Sequence, residues 1–183
     1  MDVLQMYRET GALHEGHFLL RSGRHSPMFL QSVTLMQHPL YAEAIGEAIG
    51  KLFEDVGLEF VIGPAMGGVT LAFVVARALG VRSLFAEKDG AGGMYVREGL
   101  TIHPGDRFLA VEDVITTGGS VQRAIRAAEA KGGVCVGVGA IVDRSGGQAD
   151  FGVPFRALTA LEFPTYDPSD CPLCRQGVPL REI

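Results

Sequence analysis

Along PLYAEAIGEAIGKLFEDVG (39–57) apolar residues recur at Ile45, Ile49, Leu52, Phe53 and Val56, the spacing of one helix face. Pro39 suits a first helical turn and Gly57 a stop, so the segment predicts an amphipathic helix. EFVIG (59–63), VRSLF (81–85), RFLAVE (107–112) and VCVGVGAIV (134–142) are short, mostly apolar, β-branched runs suited to strands buried on both faces. Helical patterns at 69–79 and 119–131 lie between them. The alternation predicts an α/β fold with a doubly wound, mostly parallel sheet flanked by helices, its ligand at the carboxyl ends of the strands. Residues 1–38 hold a short helix and then HFLLRSGRHSPMFLQS, and read with the C-terminal tail as a small hood over a core of about 39–161. The whole of 1–183 is then one domain.

Composition narrows the chemistry. With 183 residues, of which 47% are hydrophobic, the chain can bury a sizeable core. A net charge of -5 argues against grip on nucleic acid or an anionic membrane by bulk electrostatics. MDVLQMYRET has neither a basic stretch nor an apolar run, so the expected location is the cytoplasm. Of three cysteines, Cys135 reads as a buried small hydrophobe, while Cys171 and Cys174 form a lone CPLC unit. Such a pair supplies at most half a tetrahedral zinc site, so it reads as a terminal turn held by packing, and no protein-held metal is expected.

The densest chemistry is FLAVEDVITTGGSV (108–121). A strand runs into Glu112 and Asp113, then into a turn before a helix. Gly118 and Gly119 can adopt backbone angles closed to other residues, so successive N–H groups and the Thr116, Thr117 and Ser120 hydroxyls can converge on a phosphate at the helix N-terminus. Neither a GxxxxGK[ST] loop nor a GxGxxG fingerprint is present. Carboxylates accept hydrogen bonds from a vicinal diol and stabilise nearby positive charge, so the two halves together fit a ribose 5-phosphate whose anomeric bond breaks. Helix capping is the alternative for the acidic pair alone.

A second turn, GPAMGG (63–68), also leads from strand to helix and can aim the N–H groups of Gly67, Gly68 and Val69 at anionic oxygens. Arg144, in DRSGG after a long buried strand, can clamp a carboxylate with two prongs, or else pair with Asp143 or Asp150. Residues 86–106, AEKDGAGGMYVREGLTIHPGD, are Gly-rich with Lys88 and Arg97 at the flanks, suiting a long mobile loop that closes over a charged ligand; a surface hairpin is the alternative. HPG there reads as the start of a turn.

VEDVITTGGS closely resembles the signature of type I phosphoribosyltransferases, and FLLRSGRHSPMFLQS, VIGPAMGGV, IVDRSGG and PTYDPSDCPLC narrow the resemblance to the orotate phosphoribosyltransferases over nearly the whole chain. The resemblance implies transfer of a phosphoribosyl group from 5-phosphoribosyl 1-pyrophosphate to orotate, with Mg2+ carried largely by the substrate. It implies Glu112, Asp113 and Lys88 as catalytic groups, and Ala65, Met66, Gly67 and Gly68 on pyrophosphate. Arg21 then stands where many members have a substrate-proximal Lys, Phe29 and Leu30 lie with Met28 under the base, and Arg97 joins Lys88 on a loop, 87–98, that reaches the neighbouring site of a homodimer. Gly67 departs from the Lys that relatives often carry there. Thr116 stands where hypoxanthine-using relatives have an acidic residue, which favours orotate. An adenine-type transferase and a non-catalytic phosphoribosyl-pyrophosphate sensor are the alternatives.

Overall fold

The computed structural model describes residues 1–20 and 22–182. Arg21 lies outside the described residues. The chain opens with α1 (Val3–Glu9), capped by the Asp2 carboxylate on the Gln5 N–H, and an antiparallel hairpin, β1 (Leu13–Leu19) and β2 (His25–Leu30). Two helices follow, α2 (Ser32–Met36) and α3 (Pro39–Leu52), then β3 (Phe60–Pro64), α4 (Gly67–Leu79), β4 (Arg82–Lys88) and β5 (Met94–Val96). The second half runs β6 (Arg107–Ile115), α5 (Gly119–Glu129), β7 (Val134–Asp143), β8 (Phe155–Ala160), a 3-10 turn, α6 (Pro172–Arg175) and β9 (Arg181–Glu182).

Six strands form the central sheet in the order β5-β4-β3-β6-β7-β8, all parallel except the β4–β5 pair. The inner strands β3, β6 and β7 carry fully buried runs, Phe60–Pro64, Phe108–Val111 and Gly137–Val142, because both sheet faces are covered. On one face α3, α4 and the N-terminal segment bury Ile45, Ile49, Leu71 and Val75 against Val61, Leu109 and Ile141. On the other, α5 buries Val121, Ala124 and Ala128 against Phe60, Phe108 and Val138. A separate sheet, β2-β1-β9, joins both ends of the chain, with β9 parallel to β1.

Three elements differ from the sequence expectation. Helix α3 stops at Leu52, five residues before Gly57, because Phe53 turns its ring against Gly137, where a Cβ would lie 2.8 Å from it. The 86–106 segment is not one open loop: β4 continues to Lys88, and Met94–Val96 return antiparallel to it, with Lys88 opposite Met94. The hairpin packs on α5. Strand β8 was not legible, since FRALTA sits at the sheet edge and is only half covered.

Helices α3 and α4 touch at Gly46, where an added Cβ would stand 2.7 Å from the Val74 carbonyl group. Gly to Ala in a helix ordinarily stabilises by about 0.5–1 kcal/mol, whereas overpacking costs about 1–3 kcal/mol. The close approach wins, so Gly46→Ala is expected to lower the urea midpoint. An unchanged or raised midpoint would mean that the helices can move apart freely.

Candidate active site

Strand β3 leads through α4 to β4 on one side of the sheet, and β6 leads through α5 to β7 on the other. The order of strands therefore reverses between β3 and β6, the place where open α/β sheets leave a crevice at their carboxyl ends. Both turns singled out from the sequence end there. Gly67 starts α4 with its Cα aimed at Asp113; a Cβ would lie 3.6 Å from that carboxylate. Gly63 and Gly68 lie so close that a Cβ on Gly63 would stand 2.2 Å from the Gly68 carbonyl oxygen, so the 63–68 turn tolerates no side chain at that crossing. Ala65 is half-buried and Met66 81% exposed, at the open side of the crevice.

Residues 112–120 line a concavity of about 240 Å3. Gly118 sits at φ 72, the left-handed conformation that turns the chain into α5, and Phe151 closes the turn from behind, 2.6 Å from where a Gly118 Cβ would be. Gly118 has no side chain to cap α5, and the Gly119 N–H reaches Thr117 Oγ1 only at 3.5 Å, so the first turn of α5 borders the concavity together with the Thr116, Thr117 and Ser120 hydroxyls. That arrangement can hold a phosphate monoester.

Successive residues of a strand face opposite ways. Asp113 looks across to Gly67 on the α4 side, and Glu112 feels the Val121 N–H and the Arg123 guanidinium on the α5 side. Burial, reinforced by the charge of Asp113, raises the Glu112 carboxyl to about 8. In the unfolded chain that proton leaves near 4.5, so between these values the folded protein binds more protons and stability falls as pH rises. Below about 4.5 the contribution is complete, and above about 8 it is gone. Glu112→Gln is therefore expected to flatten the decline of the unfolding temperature between pH 5 and 8, and an identical decline in both proteins would contradict the assignment.

Behind the concavity, the Arg144 backbone N–H donates to the Ile115 carbonyl at 2.7 Å, fixing the start of the post-β7 loop beside the end of β6. The Arg144 guanidinium lies 4.5 Å over the Phe163 ring, and its buried Nε has no hydrogen-bond partner. Burial pulls its pKa down. Neither Asp143 nor Asp150 pairs with it among the described residues; Asp143 instead accepts from the Ser145 N–H, and Asp150 from the Gly152 N–H. A half-buried guanidinium with no ion pair among the described residues is suited to a planar anion.

The other predicted residues fare unevenly. Leu30 is 6% exposed and belongs to the core with Tyr7 and Leu35, so it offers no surface to a ligand; Phe29 is half-buried, against Phe18 and His14. Arg97 is held by Glu87 at 2.6 Å, with Tyr95 donating to the same carboxylate, so its charge is already matched within the hairpin. Lys88 is exposed and makes no ion pair among the described residues. His103 does start a turn, its N–H donating to Asp106. Cys135 is half-buried, with its thiol pushed up to about 11 by burial.

Sequence reasoning missed Arg123, which donates to Ser120 Oγ at 3.3 Å and brings a cation to the phosphate turn. The signal was present, since residues three apart share a helix face. Tyr7 was also missed: it shares a 2.7 Å hydrogen bond with Ser32, and burial raises its pKa, with a further rise from the Asp113 charge.

Residues 32–151 match the phosphoribosyl transferase domain family. Over all 183 residues the chain is 75% identical to the orotate phosphoribosyltransferase of Thermus thermophilus, with both chains fully covered. It is 50% identical to the orotate phosphoribosyltransferase of Thermotoga maritima over 97% of this chain and 94% of the other. The crystal structure of orotate phosphoribosyltransferase from Aeropyrum pernix superposes with a TM-score of 0.72 at 25% identity, covering 87% of this chain and 93% of that one.

Proposed function

Because the chain belongs to the orotate phosphoribosyltransferase family, we propose that it transfers the 5-phosphoribosyl group of phosphoribosyl pyrophosphate to orotate, releasing pyrophosphate and orotidine 5-phosphate in pyrimidine biosynthesis. The observation that carries the reading is the sequence of groups at the end of β6: a carboxylate pair, a hydroxyl-rich turn at a helix N-terminus, and the half-buried Arg144 guanidinium, whose Nε has no hydrogen-bond partner among the described residues. These suit, in order, ribose hydroxyls, a 5-phosphate, and the carboxylate of a pyrimidine acid.

In this reading the 5-phosphate rests on Thr116, Thr117, Gly118, Gly119 and Ser120, with Arg123 adding charge. Pyrophosphate lies along Ala65 to Gly68, where the first N–H groups of α4 are free of helical partners. Orotate lies with its carboxylate on Arg144 and its ring near Phe29. The C1–oxygen bond to pyrophosphate breaks ahead of attack, and Asp113 favours the positive charge that develops on the sugar. Glu112, protonated in the free protein at neutral pH, hydrogen-bonds a ribose hydroxyl in either protonation state. The orotate nitrogen then forms the new bond to C1 with inversion, and Lys88 meets the leaving pyrophosphate.

Among the described residues no three carboxylates converge, and Glu112 and Asp113 face opposite sides of β6, so Mg2+ would be carried largely by the pyrophosphate and ribose oxygens of the substrate and keep several waters. Bound there, Mg2+ would neutralise pyrophosphate charge.

The active unit is a homodimer in which the 87–98 hairpin serves the neighbouring site, a reading supported by the scarcity of cations beside Gly67 and by the unpaired, exposed Lys88. Mixing Asp113→Asn with Lys88→Ala/Arg97→Ala protein under subunit exchange is expected to restore activity above either parent. No recovery despite demonstrated exchange would assign the hairpin to its own chain. The cytoplasm, where Cys135, Cys171 and Cys174 stay reduced, is the proposed compartment; among the described residues no helix is long and apolar enough to cross a membrane.

Incubation with phosphoribosyl pyrophosphate and Mg2+, with orotate, uracil, adenine or hypoxanthine in parallel, tests the reading. Consumption of orotate alone supports it. Turnover of adenine without orotate would establish the purine reading, and no turnover of any base would favour a sensor.

A further inference from the structure

Outside the residues that line the β6 concavity, His17 on β1, His25 at the start of β2, Cys171 just before α6 and Cys174 within it bring one ligand atom each within 4.8 Å of one another. Cys171 Sγ lies 3.5 Å from His17 Nε2, and Cys174 Sγ lies 3.8 Å from the same nitrogen and 3.4 Å from His25 Nδ1. A tetrahedron with zinc at about 2.3 Å from sulfur and about 2.0 Å from nitrogen has edges of roughly 3.3–3.8 Å. The sulfur–nitrogen distances already match those edges. The His17–His25 pair, at 2.8 Å, is shorter; it opens by about 0.5 Å when a cation replaces the proton shared between the rings.

The surroundings prepare the ligands. His17 Nδ1 is 2.8 Å from the Val178 carbonyl oxygen, which can only accept, so the proton sits on Nδ1 and the Nε2 lone pair faces the cysteines. His17 and His25 are 1% and 5% exposed, and Cys171 is 1% exposed, whereas Cys174 remains accessible as a route of entry.

The cluster sits where the tail already meets the hood: Phe18 pairs with Arg181 and Leu19 with Glu182, His25 bridges to Tyr166, and Arg24 and Ser26 donate to the Thr165 and Pro164 carbonyls. We propose that His17, His25, Cys171 and Cys174 form a structural zinc site that clips the C-terminal tail onto the β1–β2 hairpin. Two sulfur and two nitrogen ligands in a tetrahedral set favour Zn2+ over hard cations such as Mg2+. All four positions are filled by protein, so the site is closed and structural. Its ligands span 157 residues of sequence, which makes it a long-range constraint on the unfolded chain as well.

The full-length protein, purified without chelator from zinc-supplemented cells, is expected to carry about one zinc per chain by elemental mass spectrometry. Stripping the metal should lower the unfolding temperature by several degrees, and zinc should restore it. Cys171→Ser/Cys174→Ser should lose the metal and the response to chelator, whereas Cys135→Ser should keep both. Since the double variant can fail to fold, Co2+ added to stripped wild-type protein gives a second readout: tetrahedral visible bands and a thiolate charge-transfer band saturating at about one equivalent. Zinc far below one per chain with no cobalt uptake, metal retained by the double variant, or a Cys171–Cys174 disulfide in freshly purified metal-free protein would each overturn the proposal.

Discussion

Asp113→Asn is expected to lower kcat by about 100-fold or more, in the range found when one preorganised electrostatic group is removed from a transition state. Phosphoribosyl pyrophosphate should still bind within about tenfold of normal, because the charge is most needed when the sugar becomes cation-like. The amide keeps the shape of a side chain that stands beside Gly67, so the fold should not move. Glu112→Gln is expected to fall by less, about tenfold, since the glutamine reproduces the neutral carboxyl that burial and Asp113 impose in the free protein. Equilibrium binding and steady-state rates on the two variants check this. Unchanged turnover in both would remove the carboxylates from the reaction.

Arg144→Ala is expected to raise the KM for orotate by about 10- to 100-fold, as loss of a charge-assisted, two-pronged contact of roughly 1.5–3 kcal/mol implies. The KM for phosphoribosyl pyrophosphate should change little, because Arg144 stands on the post-β7 loop, outside both turns given to that substrate. Arg144→Lys should recover only part of the loss, as an ammonium keeps the charge without the fork. Should the sugar-phosphate constant move and that for orotate stay, Arg144 belongs to the other subsite. The stacked Phe163 supplies a further variant, Phe163→Ala, which should loosen the guanidinium and raise the orotate KM more modestly.

What was legible in the sequence was local. RFLAVEDVITTGGS spells its strand, its turn and the start of its helix in consecutive residues, and the chemistry of the turn depends on little beyond them. GPAMGG was readable as a turn for the same reason, but that Gly67 faces Asp113 depends on β3 and β6 being neighbours. The hairpin at 89–93 stands in the sequence only as the alternative to an open loop, because its return strand is three residues long and gains its place from pairing with β4. The family resemblance places Leu30 under the base; its burial is decided by Tyr7 and Leu35, which belong to other elements. CPLC reads from sequence as a terminal turn, because the two histidines beside it come from the other end of the chain and no spacing rule connects them to it.

The central claim, that the end of β6 holds the phosphoribosyl group and the loop after β7 holds the base, is tested most directly by a crystal structure with orotidine 5-phosphate bound. The account predicts the phosphate on residues 116–120, the ribose hydroxyls at Glu112 and Asp113, and the base carboxylate within hydrogen-bond distance of Arg144. A phosphate seated elsewhere, or a base carboxylate facing away from Arg144, would contradict it.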